Sequence, residues 1–281
     1  MFKKSLVGVD FSPSSQALLS CLPDLEQWGV ETLILAHVIR IGYGQGSGYG
    51  KEDAYLERIA RLAEPLSGSG MAVEPHVTAS SAVAEELVAL SGRTQCDLLV
   101  LGSRSHNFLH DIFLGSVAKE AIRLADRPVL IERLEPVRSG VAETCAAVCR
   151  QALTKVLLAT DHSDRAQTAQ DAALGLAGSA GQIDCLTVLA DNASDAELAA
   201  TQAAQAELVE ALIRAGTKAQ AIIARGVPDE AILRASADNY SLILIGKNGQ
   251  NWLASKVIGS TTAAVCERAR IPVLMVPLQN N

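Results

Sequence analysis

Three glycines and a serine form the most chemically suggestive group in the chain: Gly246-Lys247-Asn248-Gly249, then nine residues, then Gly259-Ser260-Thr261. The spacing reads G-x2-G-x9-G-S. Glycines at 246 and 249 permit positive φ and a close backbone approach to a ligand. Unpaired amides where a helix opens at Gly259, aided by the helix dipole, attract phosphate oxygens. Ser260 and Thr261 add hydroxyl donors and Lys247 adds a cation. Asp161, at the end of the run Leu157-Leu158-Ala159-Thr160, offers a carboxylate suited to a ribose hydroxyl or an adenine edge. Any one glycine is commonplace at a strand-to-helix turn. The spaced set reads as a phosphate-binding pocket.

These residues need a scaffold that brings the ends of several strands to one edge. Apolar runs of strand length alternate with helical patterns throughout, which predicts parallel sheets covered by helices. In such sheets ligands bind beyond the carboxyl ends of the strands. Strands are expected near 4–10, 31–39, 71–78, 97–102 and 127–133, and again near 154–161, 182–190, 218–224, 241–246 and 271–276. Pro23 is expected to kink or break a helix over 13–28. Ser194 with Glu197 three residues on predicts a capping box.

The two series of strands are one passage written twice. Asp10 answers to Asp161 at an offset of 151, and Val38 to Val188 at 150; Gly102, Gly115, Ser116 and Pro128 answer to Gly246, Gly259, Ser260 and Pro272 at 144. The first copy therefore holds about six extra residues between its second and fourth strands, at the glycine-rich stretch from Gly42 to Gly50, read as a surface insertion. Two domains are expected, at 1–135 and 154–281, joined by a helical connector over 136–153 in which Val141 to Cys149 reads as helix. The first copy has Gly102-Ser103-Arg104-Ser105 where the second has its two glycines. A serine held in left-handed geometry costs on the order of 1–2 kcal/mol, so binding is expected chiefly in the second half.

On these motifs, and on the opening Val7-Gly8-Val9-Asp10-Phe11-Ser12 and the closing strands at Pro128-Val129-Leu130 and Pro272-Val273-Leu274, the chain resembles a tandem member of the universal stress protein A family. The resemblance covers nearly the whole chain, once per half. It implies an α/β fold: two Rossmann-like domains, each a five-stranded parallel sheet of order 3-2-1-4-5 with helices on both faces. It implies ATP, with Mg2+ as its companion, held by Asp161, Val188, Gly246, Gly249, Gly259 and Ser260, with Val188 giving backbone groups to adenine. Asp10, Val38, Gly102, Arg104, Gly115 and Ser116 are the counterparts in the first copy. It also implies that the two sheets pair as a pseudo-dimer, and a further homodimer stays open.

Bulk properties exclude other classes. A net charge of −7 lacks the basic balance of nucleic-acid binders. The longest apolar runs are strand-sized, so no membrane span is expected. The opening Met1-Phe2-Lys3-Lys4 makes a poor secretory signal because its apolar run breaks at Asp10, and the expected location is the cytoplasm. The six scattered cysteines read as packed thiols. His106, His110 and Asp111 are weighed as metal ligands and read instead as loop residues; His37 and His76 read as packing residues. There is no G-x-S-x-G, H-E-x-x-H or Walker A motif. A nucleotide-binding stress or regulatory protein is the leading expectation. A slow ATPase or phosphoryl-transfer enzyme using Asp161, Lys247 and Ser260, and a scaffold or chaperone-like module holding a non-nucleotide small molecule, are the alternatives.

Overall fold

A computed structural model describes residues 1–42, 52–66, 68–104, 114–139, 142–147, 151–237, 239–248 and 257–278, with the backbone alone at 104, 135–139 and 142–147. The chain divides into two compact units, Met1–Ala125 with Val129–Arg150, and Gln151–Asn281 with Asp126–Pro128.

In the first unit the order is β1 (Lys4–Gly8), α1 (Pro13–Leu19), β2 (Thr32–Arg40), α2 (Glu52–Ala63), β3 (Ala72–Ser80), α3 (Val83–Arg93), β4 (Leu98–Arg104), α4 (Ser116–Leu124), β5 (Val129–Ser139) and β6 (Ala142–Ala147). Strands β3-β2-β1-β4-β5 are hydrogen-bonded in that order, all parallel. In the second unit β7 (Val156–Ala159), α5 (Gln167–Leu176), β8 (Gln182–Leu189), α6 (Asp195–Arg214), β9 (Lys218–Arg225), α7 (Pro228–Ser236), β10 (Leu242–Gly246), α8 (Ser260–Arg268) and β11 (Val273–Val276) follow. The sheet there is β9-β8-β7-β10-β11, again parallel throughout. Both sheets have the order 3-2-1-4-5. The switch point lies between the first and fourth strands, where neighbouring crossovers leave in opposite directions and open a crevice.

The central strands are apolar on both faces. Leu98, Leu99 and Val100 of β4, and Leu242, Ile243 and Leu244 of β10, are fully buried, as strands sandwiched between helix layers must be. Pro23 falls in a 3₁₀ turn, Leu22–Trp28, that follows α1, so the expected long helix is broken. Ser194 and Glu197 form the full capping box of α6.

The connector is where the sequence reading fails. Residues 142–147 are strand β6, not helix, and pair antiparallel with an extended β5, Val137 facing Thr144. Alanine-rich composition favours helix locally, but β5 offers a free ladder edge and the β-branched residues fit a pleated surface. The cysteine expectation also needs amendment: Cys96, Cys185 and Cys266 are buried free thiols, whereas Cys21 is disulfide-bonded.

One core residue carries a pH signature. Glu132 of β5 is only 3% exposed, and its Oε2 has no hydrogen-bond partner among the described residues. Burial, reinforced by the Asp24 carboxylate and opposed by Arg133, pushes its pKa up to about 8. The folded chain thus holds a proton that the unfolded chain releases near pH 4.5. Stability is full below that point, falls as pH rises toward 8, and is level above it. In urea unfolding at pH 5 and pH 8, Glu132→Gln is expected to abolish this component of the decline, worth on the order of 3–5 kcal/mol. Equal pH slopes in both proteins would contradict the assignment.

Candidate functional site

Each half builds its site from the turn after the first strand. In the first unit Asp10 is followed by Phe11 at φ 61°, and in the second Asp161 is followed by His162 at φ 54°. A left-handed non-glycine residue is costly, and the aspartate offsets it by accepting from the backbone two residues on, an Asx turn. Asp10 Oδ1 accepts from Ser12 N at 3.0 Å, and from the Ser12 and Ser15 hydroxyls, the latter at 2.6 Å. Asp161 Oδ1 accepts from Ser163 N at 3.1 Å and Ser163 Oγ at 2.6 Å. Ser12 and Ser163 in turn accept from the backbone amides of Ser15 and Ala166 at the start of the next helical turn. Each carboxylate is held in a fixed plane at the carboxyl edge of its sheet.

In the first unit these residues open onto a cavity of about 700 Å³. Asp10, Val38, Gly102, Gly115 and Ser116, five of the six first-copy residues expected from sequence, line it. The Arg104 side chain lies outside the described residues. A Cβ at Gly102 would come within 2.7 Å of Leu134 Cδ1, so any larger residue would make that side chain shift. Gly115 has the opposite surroundings, since nothing lies within 4 Å of where its Cβ would be. It caps α4 without a side-chain bond, so the amides of Ser116, Val117 and Ala118 at the helix start have no helical acceptor. All three residues face the cavity.

The second unit repeats the plan with different stitching. Gly246 ends β10 without positive φ, contrary to expectation, and a Cβ there would make ordinary contacts, with Asn248 O and Arg165 O at 3.6 and 3.7 Å. Thr262 Oγ1 donates to Gly246 O at 2.7 Å, and Gly259 N–H donates to Lys247 O at 2.9 Å. The Gly259 amide is therefore spent on the protein. The next three amides, of Ser260, Thr261 and Thr262, begin α8 without a side-chain cap. Lys247, expected to add a cation to the pocket, is only 2% exposed. Asn248 donates to Val257 O and draws the two ends of the motif loop together. Asp161 lies at the end of β7 and Val188 near the end of β8, as expected. Gly249, Trp252, Ser105, His106, His110, Asp111, and the glycine-rich stretch from residue 43 on lie outside the described residues.

Sequence reasoning missed the layer behind each aspartate. In the first unit Phe11, His37 and Tyr55 form one cluster: ring centroids are 4.5 Å apart for Phe11–His37, 4.8 Å for His37–Tyr55 and 5.7 Å for Phe11–Tyr55. The Arg58 guanidinium sits 4.1 Å over the Phe11 ring. His37 donates from Nδ1 to Val9 O at 2.9 Å, which fixes its tautomer. Burial lowers its pKa, the Val9 bond opposes this, and Arg58 adds to it. In the second unit His162 Nε2 meets Thr187 Oγ1 at 3.1 Å, and Gln205 Nε2 donates to the same hydroxyl at 2.7 Å. Burial lowers the His162 pKa, opposed by Asp161. The neutral ring suits this chain, because Thr187 accepts from Gln205 and gives its own proton to Nε2. His37 and Thr187 stand at the same offset of 150 as Val38 and Val188, so one location is aromatic in one copy and hydrogen-bonded in the other. Periodicity hides this layer, since its members lie on three elements far apart in sequence.

Tandem sheets of order 3-2-1-4-5, each with a tethered aspartate at the switch point and a helix start without a side-chain cap opposite, define a doubly wound α/β protein. The profile of the universal stress protein family matches residues 1–133 and 153–277, and the chain belongs to that family. Universal stress protein Slr1230 from Synechocystis sp. (strain ATCC 27184 / PCC 6803 / Kazusa) is 29% identical over 184 residues, 63% of this chain and 57% of that protein; the chain thus spans little more than half the length of that relative. Among solved structures, a universal stress protein from Archaeoglobus fulgidus DSM 4304 aligns over 99% of this chain and 98% of its own with a TM-score of 0.72 at 23% identity. A protein of unknown function from Pseudomonas aeruginosa PAO1 aligns over 99% and 93% with a TM-score of 0.65 at 16% identity. These likenesses bear on the fold.

The stitching at Gly246 yields a direct expectation. Thr262→Val keeps shape and removes the hydroxyl that donates to the Gly246 carbonyl, leaving that carbonyl with one bond fewer. Chemical denaturation is expected to show a loss of about 1–3 kcal/mol. An unchanged midpoint would show that the tie is dispensable.

Proposed function

We propose that the protein binds adenine nucleotides and acts as a stress-response or regulatory protein whose partner affinity changes with the bound nucleotide. The observation that supports this most is the first-unit cavity, where a fixed carboxylate, Asp10, and the uncapped start of α4 share one hollow of about 700 Å³. That volume is in the usual range for small-molecule sites. A carboxylate suits a ribose hydroxyl, and helix-start amides suit phosphate oxygens. Val38, at the end of β2, offers backbone groups to a base. In the second unit Asp161, Val188, Gly246, Lys247, Gly249, Gly259, Ser260 and Thr261 carry the complete spaced motif, and that half binds as well. ATP fits both donor sets, and a Mg2+ ion would travel with its phosphates.

The enzymatic alternative has less support. Asp161 and its serine form a structural turn, and Lys247 is buried, so neither is placed as a base or a mobile phosphate clamp. Among the described residues no cluster of three or more metal-ligating side chains occurs. No helix among them is long and apolar enough to cross a membrane.

Calorimetric titration of ATP into the full chain tests the reading. Gly115→Leu projects into open space at φ −59°, so it fills the phosphate end without a clash; it is expected to weaken first-unit ATP binding at least tenfold while thermal unfolding shifts little. Gly249→Val is expected to do the same for the second unit. No heat at millimolar ATP in wild type would overturn the proposal.

A further inference from the structure

We infer that the first-unit cavity recognises its ligand chiefly through the base, on an aromatic wall of His37 and Tyr55, and therefore holds adenosine or adenosine monophosphate nearly as well as the triphosphate. This rests on the nucleotide-binding reading above and names the ligand class for one of the two halves. Three observations carry it.

The first is placement. His37 and Tyr55 both line the cavity, beside Val38 and Ile39 of β2. This is the end of the hollow served by the second strand, away from the helix start at Gly115. Planar rings lining that end are suited to contact a planar base, and base–aromatic stacking is strong and indifferent to phosphate count.

The second is rigidity. Phe11 backs both rings, stacked on Tyr55 at an interplanar angle of 25°, and Arg58 covers Phe11 from 4.1 Å. His37 is tethered to the Val9 carbonyl. A wall fixed on three sides loses little freedom when a ligand docks, so more of its contact energy appears as affinity.

The third is the phosphate end. Ser103, which stands where the second copy has Lys247, is 1% exposed and donates to Glu132 O at 3.0 Å. Its hydroxyl is committed to the sheet and unavailable to a phosphate. Ser105 replaces the second motif glycine. Lys247 is buried as well, so the copies differ at this end by the motif glycine that the first copy lacks. The second unit has the reverse arrangement, with Thr187 and Gln205 in the layer behind its aspartate and both motif glycines present.

The test is a titration of full-length, 15N-labelled protein with adenosine, AMP and ATP, each followed at the Val38 and Ile39 amides so that the first unit is read separately. Wild type is expected to bind all three with dissociation constants within about tenfold of one another. Tyr55→Leu is expected to weaken all three by a similar factor, roughly tenfold or more, and Tyr55→Phe to restore what Tyr55→Leu loses. Gly115→Leu is expected to weaken ATP while sparing adenosine. ATP bound over a hundredfold more tightly than adenosine, or unchanged affinities in Tyr55→Leu with its fold intact, would overturn the inference and leave the nucleotide-binding reading standing. Failure of all three ligands to bind either unit of wild type would remove both.

Discussion

The site in each half depends on one strained turn. The residue after the first-strand aspartate is driven into left-handed backbone geometry, and the carboxylate makes this tolerable by gathering donors from the residues that follow. The turn aims the chain from the sheet into the next helix and leaves the carboxylate at the crevice. Everything else in the site is arranged around that fixed group: the second strand brings Val38 or Val188 beside it, and the fourth crossover brings a helix whose first amides lack acceptors. An aspartate without the turn would be only a solvated surface acid.

The two copies keep this turn and differ in what supports it. Phe11 packs into an aromatic cluster with His37 and Tyr55; His162 enters a hydrogen-bonded chain with Thr187 and Gln205. Both solutions fasten the turn to the second strand and the helix after it. They differ in what they require. The aromatic version relies on shape and burial. The polar version requires every partner to keep its hydrogen-bond role, and Gln205 Oε1 is already buried without a partner among the described residues, so it has less room to change. Duplication followed by such divergence supports the same turn by two different chemistries on one backbone plan.

Much of this was legible in the sequence. Repeated apolar runs and the Asp10–Asp161 register identified two parallel sheets, the family resemblance implied their strand order, and the spaced glycines located the helix starts. The failures have physical causes. Residues 142–147 read as helix because local composition is alanine-rich, but a free strand edge on β5 outweighed propensity. Lys247 read as a cation of the pocket, and spacing does not report that its side chain is buried. Gly246 was credited with conformational freedom, but its φ is not positive and a Cβ there would make only ordinary contacts. His37 read as a packing residue; it does pack, but against Tyr55 across 18 positions of chain and on the wall of the cavity. A periodic pattern identifies the face on which a residue lies, not which residue from another element it meets there.

The central claim is that bared main-chain amides at a helix start, facing a tethered carboxylate across a cavity, receive an anion. Hydrogen–deuterium exchange at the Ser116, Val117 and Ala118 amides, with and without saturating ATP, tests it most directly. These groups have no helical acceptor, so they exchange rapidly in the free protein and are predicted to become strongly protected when phosphate oxygens accept from them. Unchanged exchange at all three positions, under conditions where calorimetry shows ATP bound to the first unit, would contradict the account.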